Sequence, residues 1–241
     1  MSSRLILNGF RSIEECIRIN PDRIAKLLIP SGKLSARVIQ LRDLAQKKGI
    51  RIETNPKPDN SEEPVLALLH DYEYADFDGL LDELRGALQQ GERPIVIAFD
   101  GITDPHNLGA LLRTAAFMGV SGVILPKDRS ATITDTVYRI ASGGLEYLRV
   151  AQVTNLVSAL EKLKEVGFWS VGFSEHAEQD LLTLKRDFAP VIVIGNEEKG
   201  LRQLVRENCD YLVKLQGKGG LQSLNASVAG ALAMAWANGS V

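Results

Sequence analysis

From Pro94 onward the chain alternates short, continuously apolar runs with amphipathic stretches: PIVIAFD, NLGALLRTAAFM, SGVILP, TITDTVYRIA, NLVSALEKLKEVG, FWSVGF, APVIVIGN, GLRQLVREN and YLVKL, followed by a final alanine-rich helix. Runs that are apolar at every position, rather than at every second one, belong to strands buried on both faces, and the helical-period segments between them supply the covers. An α/β fold with a parallel sheet is therefore expected. Ligands in such sheets gather beyond the carboxyl ends of strands. The loops after Asp100, Asn196 and Leu215 are thus where chemistry is sought.

The part before Pro94 reads as a smaller α/β unit. SIEECIRI has helical spacing, KLLIP is a short strand, ARVIQLRDLAQKKG is an amphipathic helix stopped by Gly49, and IRIE and VLALLH are strands. The stretch TNPKPDNSEEP marks a loop. A helix is expected from about residue 78 to residue 90, inside an acidic connector closed by Gly91 and Pro94. The expected organisation is a small domain over 1–73, a connector over 74–91 and a larger domain over 92–241.

Bulk properties exclude several classes. The chain of 241 residues, 45% hydrophobic, is long enough for real cores. No apolar run reaches the ~20 residues of a membrane span, and the start lacks a secretory signal's apolar core, so a soluble cytoplasmic protein is expected. Cys16 and Cys209 stand far apart without CxxC spacing, and His70, His106 and His176 are scattered, so neither a disulfide framework nor a metal site is suggested. The net charge of −2 conceals an asymmetry: residues 1–58 carry twelve Lys/Arg against five Asp/Glu, and 59–90 carry one against nine. A basic first module suits a polyanionic partner, although a solvated surface explains the charge as well.

Three polar clusters directly follow strands: DGITDPHNLGALLRTA, GNEEKGL and QGKGGLQSLNASVAG. The glycine-rich loop before the last helix matches neither GxxxxGK[ST] nor GxGxxG, so a nucleotide phosphate cradle is a poor reading. Taken singly, each cluster has a structural reading. Asp104-Pro105 makes a turn and Asn107 fits a helix N-cap, Arg113 fits a helix surface, Glu197 complements the dipole of a following helix, and Ser223 and Asn225 fit caps. The small residues of the last helix permit close packing of a second helix.

Taken together, DPHNLGALLRTAAFMGV, VIVIGNEEKGL and SLNASVAGA resemble the three motifs of the SpoU (TrmH-like) family of RNA ribose 2'-O-methyltransferases in the SPOUT superfamily. PKDRSA and ASGGLEYLRVAQVTNL are similar to the branch that modifies a guanosine of 23S ribosomal RNA. The resemblance covers about residues 92–238, and residues 1–70 more weakly resemble an L30e-like RNA substrate-binding module. It implies a catalytic domain whose C-terminal segment forms a trefoil knot, with S-adenosyl-L-methionine held there and no metal. Cofactor contacts carry over to Gly195, Asn196, Leu215, Gly219, Leu224 and Asn225. Catalytic roles carry over to Arg113, Asn107, Glu197, Ser223 and Asn225. Partners are ribosomal RNA and a second copy of the chain, with the helices bearing Asn107 and Asn225 supplying the dimer contact. Two departures stand out. Leu215-Gln216-Gly217-Lys218-Gly219 lacks a proline that many relatives carry, and Glu62-Glu63-Pro64 replaces their His-Gln-Gly.

Methyl transfer from a sulfonium to a ribose hydroxyl discharges a cation, so the protein must align two groups and manage one proton. Arg113 is assigned to that step by resemblance. A guanidinium stays protonated, with pKa above about 12, so a fixed cation for the RNA phosphate and a developing alkoxide is the physically easier role than a base. Methylation of transfer RNA and a non-catalytic RNA-binding assembly factor are the alternatives that remain.

Overall fold

The computed structural model describes residues 5–55, 64–175, 177–217, 219 and 224–241. In chain order its elements are β1 (Ile6–Asn8), α1 (Phe10–Ile19), β2 (Ile24–Pro30), α2 (Ala36–Lys47), β3 (Ile52–Asn55), β4 (Leu66–Leu69), α3 (Phe77–Gln89), β5 (Val96–Asp100), α4 (Pro105–Phe117), β6 (Gly122–Pro126), α5 (Asp135–Ala141), β7 (Val150–Val153), α6 (Leu156–Glu165), β8 (Phe168–Phe173), β9 (Gln179–Asp180), β10 (Ala189–Gly195), α7 (Gln203–Glu207), β11 (Tyr211–Lys214) and α8 (Ala226–Asn238). Among the described residues no helix is long and apolar enough to cross a membrane.

The chain divides into two compact units. The larger contains Tyr74–Thr132 and Leu148–Val241, and its seven strands lie in the order β7-β6-β5-β10-β8-β11-β9, every pairing parallel. All five residues of β5 and of β6 are buried, as continuous apolar runs require. Leu160 and Leu163 of α6 and Phe168, Val191 and Val193 of the sheet share one core. Each such side chain contributes about 1.5–3 kcal/mol by leaving water.

The acidic stretch 74–91 is part of this unit rather than a free connector. Leu80, Leu81 and Leu84 of α3 are buried in the same core, and Ala75 forms a parallel bridge to Ala151. Its acids take the outer face: Asp76 caps the helix by accepting from the Gly79 N–H, Asp78 pairs with Lys162 and Glu83 with Arg149. The stretch reads as an acidic connector in sequence because its acids outnumber the leucines that bury it, which occupy one face of α3 only.

The smaller unit contains the described residues up to Glu73 together with Ile133–Tyr147, a segment expected in the catalytic domain. Its sheet has the order β1-β4-β2-β3, with β2/β3 parallel and the other pairs antiparallel. Val137, Tyr138 and Ala141 of α5 are buried within it. Three polar ties fix the segment. Asp135 accepts from the Ile6 N–H at 2.9 Å, Arg23 donates to the Tyr138 hydroxyl at 2.6 Å, and Asn20 donates to the Glu146 carboxylate at 2.8 Å. Gly143, at φ 87°, lets the turn after α5 close on α1, because a Cβ there would stand 2.8 Å from Glu15 Cβ.

Candidate functional site

Strands β5 and β10 are neighbours and end in register, Asp100 opposite Gly195, so the loops that leave them start side by side. The loop after β10 is closed on itself. Asn196 and Gly200 exchange backbone N–H···O bonds of 3.0 and 2.9 Å, and the Asn196 Oδ1 accepts from the N–H groups of Glu198 and Lys199. Gly195 is required by this closure, since a Cβ there would lie 2.3 Å from the carbonyl carbon of Gly200. The loop is also tied to the exit of β5: Asn196 Nδ2 donates to the Gly101 carbonyl at 2.9 Å.

A second tie was not anticipated from sequence. Asp100 is 1% exposed, and its carboxylate accepts from the Arg202 N–H at 2.7 Å and from Arg202 Nε at 2.5 Å. A buried carboxylate persists only when paired and hydrogen-bonded. The signal available in the sequence was an acid ending the fully apolar run of β5.

Three of the expected site residues meet. Asn107 Nδ2 donates to Glu197 Oε1 at 2.7 Å, and Asn225 Nδ2 donates to Asn107 Oδ1 at 3.1 Å. Each comes from a different loop and a different motif. The structure reassigns the capping role expected of Asn107: Asp104 caps α4, accepting from the His106 N–H, with Pro105 opening the helix. Asn107 lies inside the first turn, its amide free to bridge the two neighbouring loops. Glu197 stands six residues before α7 and serves the Asn107 amide rather than that helix's dipole. Asn225 does cap α8, through the Ser227 N–H at 2.8 Å, while its Nδ2 reaches Asn107. The close packing expected of α8 occurs at Gly230, where a Cβ would stand 2.3 Å from Leu111 Cδ2 of α4.

The other candidates are placed as follows. Arg113 is exposed on α4 and makes no ion pair or hydrogen bond among the described residues. Six residues separate it from Asn107, which turns it about 120° around the helix and keeps it off the Asn107 face. Leu215 is half-buried just after β11, Gly219 is exposed with open space about it, and Leu224 is half-exposed beside the Asn225 cap. Ser223 and Lys218 lie outside the described residues. No group of His, Cys, Asp and Glu suited to a metal ion occurs among the described residues. Burial, with Asp210 and Asp100 nearby, pushes the Cys209 thiol up to about 12, and burial likewise raises Cys16, so both are poor nucleophiles.

Comparison with known proteins adds to this geometry. The family model described as the SpoU rRNA Methylase family matches residues 94–235. A Staphylococcus aureus protein placed in the TrmH family of tRNA/rRNA methyltransferases is 37% identical, over 95% of this chain and 93% of its own. The 23S rRNA (guanosine-2'-O-)-methyltransferase RlmB of Pseudomonas aeruginosa is 39% identical, over 92% of this chain and 90% of its own. In fold, the chain is similar to the crystal structure of the SpoU methyltransferase AviRb from Streptomyces viridochromogenes in complex with AdoMet. That match has a TM-score of 0.83 at 24% identity and covers 98% of this chain and 89% of the other.

Proposed function

The chain belongs to the SpoU methylase family, and on that premise we propose that it methylates the ribose 2'-hydroxyl of a guanosine in 23S ribosomal RNA with S-adenosylmethionine as donor. The observation that carries the reading is the hydrogen-bonded chain Glu197–Asn107–Asn225, which draws three motif loops to one place at the carboxyl edge of β5 and β10. The guanosine assignment leans on the Pseudomonas relative, which bears that activity in its name.

The residues fit such a donor. Gly200 and Gly219 have open space where a Cβ would stand, and Gly195 keeps the loop closed, so an adenosyl group would meet peptide N–H and C=O groups there, with Leu215 and Leu224 as apolar neighbours. Once bound, the donor supplies an electrophilic methyl group on a sulfonium. Asn107 and Glu197 fix one another and so hold polar groups still at the acceptor, which is where a rate gain from orientation arises. Arg113 offers its uncommitted guanidinium to an RNA phosphate and to the charge that develops on the ribose oxygen.

Two features of the reading concern assembly. A homodimer through α4 and α8 is supported by the exposed Phe117 of α4 and by the exposed Val228 and Leu232, four residues apart on one face of α8, with Leu224 exposed just ahead of that helix. Arg113 points away from the Asn107 face of its own chain, which suits a site completed across that interface. A C-terminal trefoil knot is supported by the path of the last segment. It leaves β11, two strands removed from β10, and α8 then packs on α4 and β10. The L30e-like reading of the smaller unit rests on its mixed four-stranded sheet flanked by α1 and α2.

Labelled S-adenosylmethionine offered with unmodified 23S rRNA and, separately, unmodified transfer RNA tests the substrate. Label is expected in the ribosomal RNA; label confined to transfer RNA would overturn the assignment.

A further inference from the structure

The smaller unit has a groove of about 900 Å³ that the catalytic reading does not use. Its walls are the exposed faces of α1 and α2, and it is closed at one side by Tyr147, the last residue of the inserted segment. Arg11, Arg18, Arg37 and Lys48 line it against two carboxylates. Both carboxylates are engaged inside the groove: Glu14 pairs with Arg18 at 2.6 Å, and Glu15 accepts from the Tyr147 hydroxyl at 2.6 Å. Arg11, Arg37 and Lys48 are exposed and form no ion pair among the described residues, and the Arg37 guanidinium lies over the Phe10 ring, 4.5 Å from its centroid. The balance left to a ligand is positive.

Tyr147 is 57% exposed although its hydroxyl is fixed. A tyrosine whose hydroxyl is held while its ring stays open is a ready stacking platform, and the segment carrying it is locked by the Asp135, Tyr138, Glu146 and Gly143 contacts. We propose that this groove grips a single-stranded stretch of the substrate RNA, one base stacking on Tyr147 and the phosphates lying on Arg11, Arg37 and Lys48. Cationic side chains with an interleaved aromatic ring are what such a strand requires, because charge tracks the backbone and every base has a π-face. An acidic protein segment would use the cations but has no need of the ring. The site is composite: α1 and α2 supply charge, and the segment inserted between β6 and β7 supplies the ring.

The proposal rests on the reading of RNA as substrate, and the experiment separates the two. Full-length protein is titrated into a fluorescein-labelled, unstructured RNA dodecamer and followed by anisotropy at several salt concentrations. Tyr147→Ala is expected to weaken binding by about tenfold, and Tyr147→Phe by under about threefold, since the ring remains. Joint replacement of Arg11, Arg37 and Lys48 by Gln is expected to flatten the slope of log affinity against log salt by about 2, at about 0.7 for each phosphate contact on a single strand. Melting temperature and S-adenosylmethionine affinity should stay at wild-type values in every variant. If the wild-type protein binds and methylates RNA but Tyr147→Ala binds as tightly, the groove assignment is overturned and a purely charge-reading partner takes its place. If the wild-type protein neither binds nor methylates RNA, the substrate reading itself fails.

Discussion

Two polar clusters of this molecule use similar side chains to opposite ends. In the smaller unit the half-buried Asn20 and Arg23 meet two interior side chains, Tyr138 at 1% and Glu146 at 7% exposure, and burial together with the Glu146 charge raises the Tyr138 hydroxyl so that it stays neutral. In the larger unit Asn107 is half-buried, while Glu197 and Asn225 are exposed at the strand ends. The first cluster ties chain segments more than a hundred residues apart, and its hydrogen bonds stabilise because each has one partner buried away from competing water. The surface cluster contributes little to stability, since water would serve the same groups; its worth is in holding three loops in one arrangement. Replacing a member of the first should therefore move stability, and replacing a member of the second should move activity.

The largest expected effect is on Arg113. Arg113→Lys keeps the charge but loses the planar fork, and kcat/KM for RNA methylation should fall by about 100-fold or more, with an unchanged melting temperature. Near-normal turnover in steady-state assays would remove Arg113 from the mechanism. Gly195→Ala should come next. Its Cβ collides with the Gly200 backbone, so the loop must open, and calorimetry should show S-adenosylmethionine affinity reduced by about tenfold or more, on the scale of a core overpacking penalty. Affinity like that of the wild type would mean that this closure does not shape the cofactor wall.

The first cluster is probed by Asn20→Ala, which strips the Glu146 carboxylate of its Asn20 donor in a place where its Oε1 has no hydrogen-bond partner among the described residues. Urea unfolding of the smaller unit should show a loss of about 2 kcal/mol, with methylation per folded molecule retained. A smaller pair of substitutions sharpens the contrast on a single helix. Asp104→Ala should cost about 1 kcal/mol as a lost cap and leave turnover nearly intact, whereas Asn107→Ala should leave stability intact and lower turnover. The reverse pattern would restore Asn107 to the capping role.

Much of the larger unit was readable because its strands are apolar at every position; β5, β6, β8 and β10 fall where periodicity puts them. Short elements escaped, as with the three residues of β1 and the four of β7, because so few positions carry no clear period. The capping role was misread for a local reason, since Asp104 and Asn107 are both capping residues and only Pro105 at the first helical position decides between them. The placement of 133–147 in the smaller unit was beyond periodicity altogether. Val137, Tyr138 and Ala141 announce that α5 is buried, but not against what. At the site, the motifs named Asn107, Glu197 and Asn225, yet the Asp100–Arg202 tie depends on two residues 102 positions apart that only the fold brings together.

Mapping the methyl group at nucleotide resolution tests the central claim most directly. Unmodified 23S rRNA is incubated with wild-type protein and S-adenosylmethionine, and 2'-O-methylation is read along the whole molecule. One guanosine ribose methylated by the wild-type protein and left unmethylated by Arg113→Lys is the predicted result. Methylation on a base, or no methylation at any ribose, would contradict it.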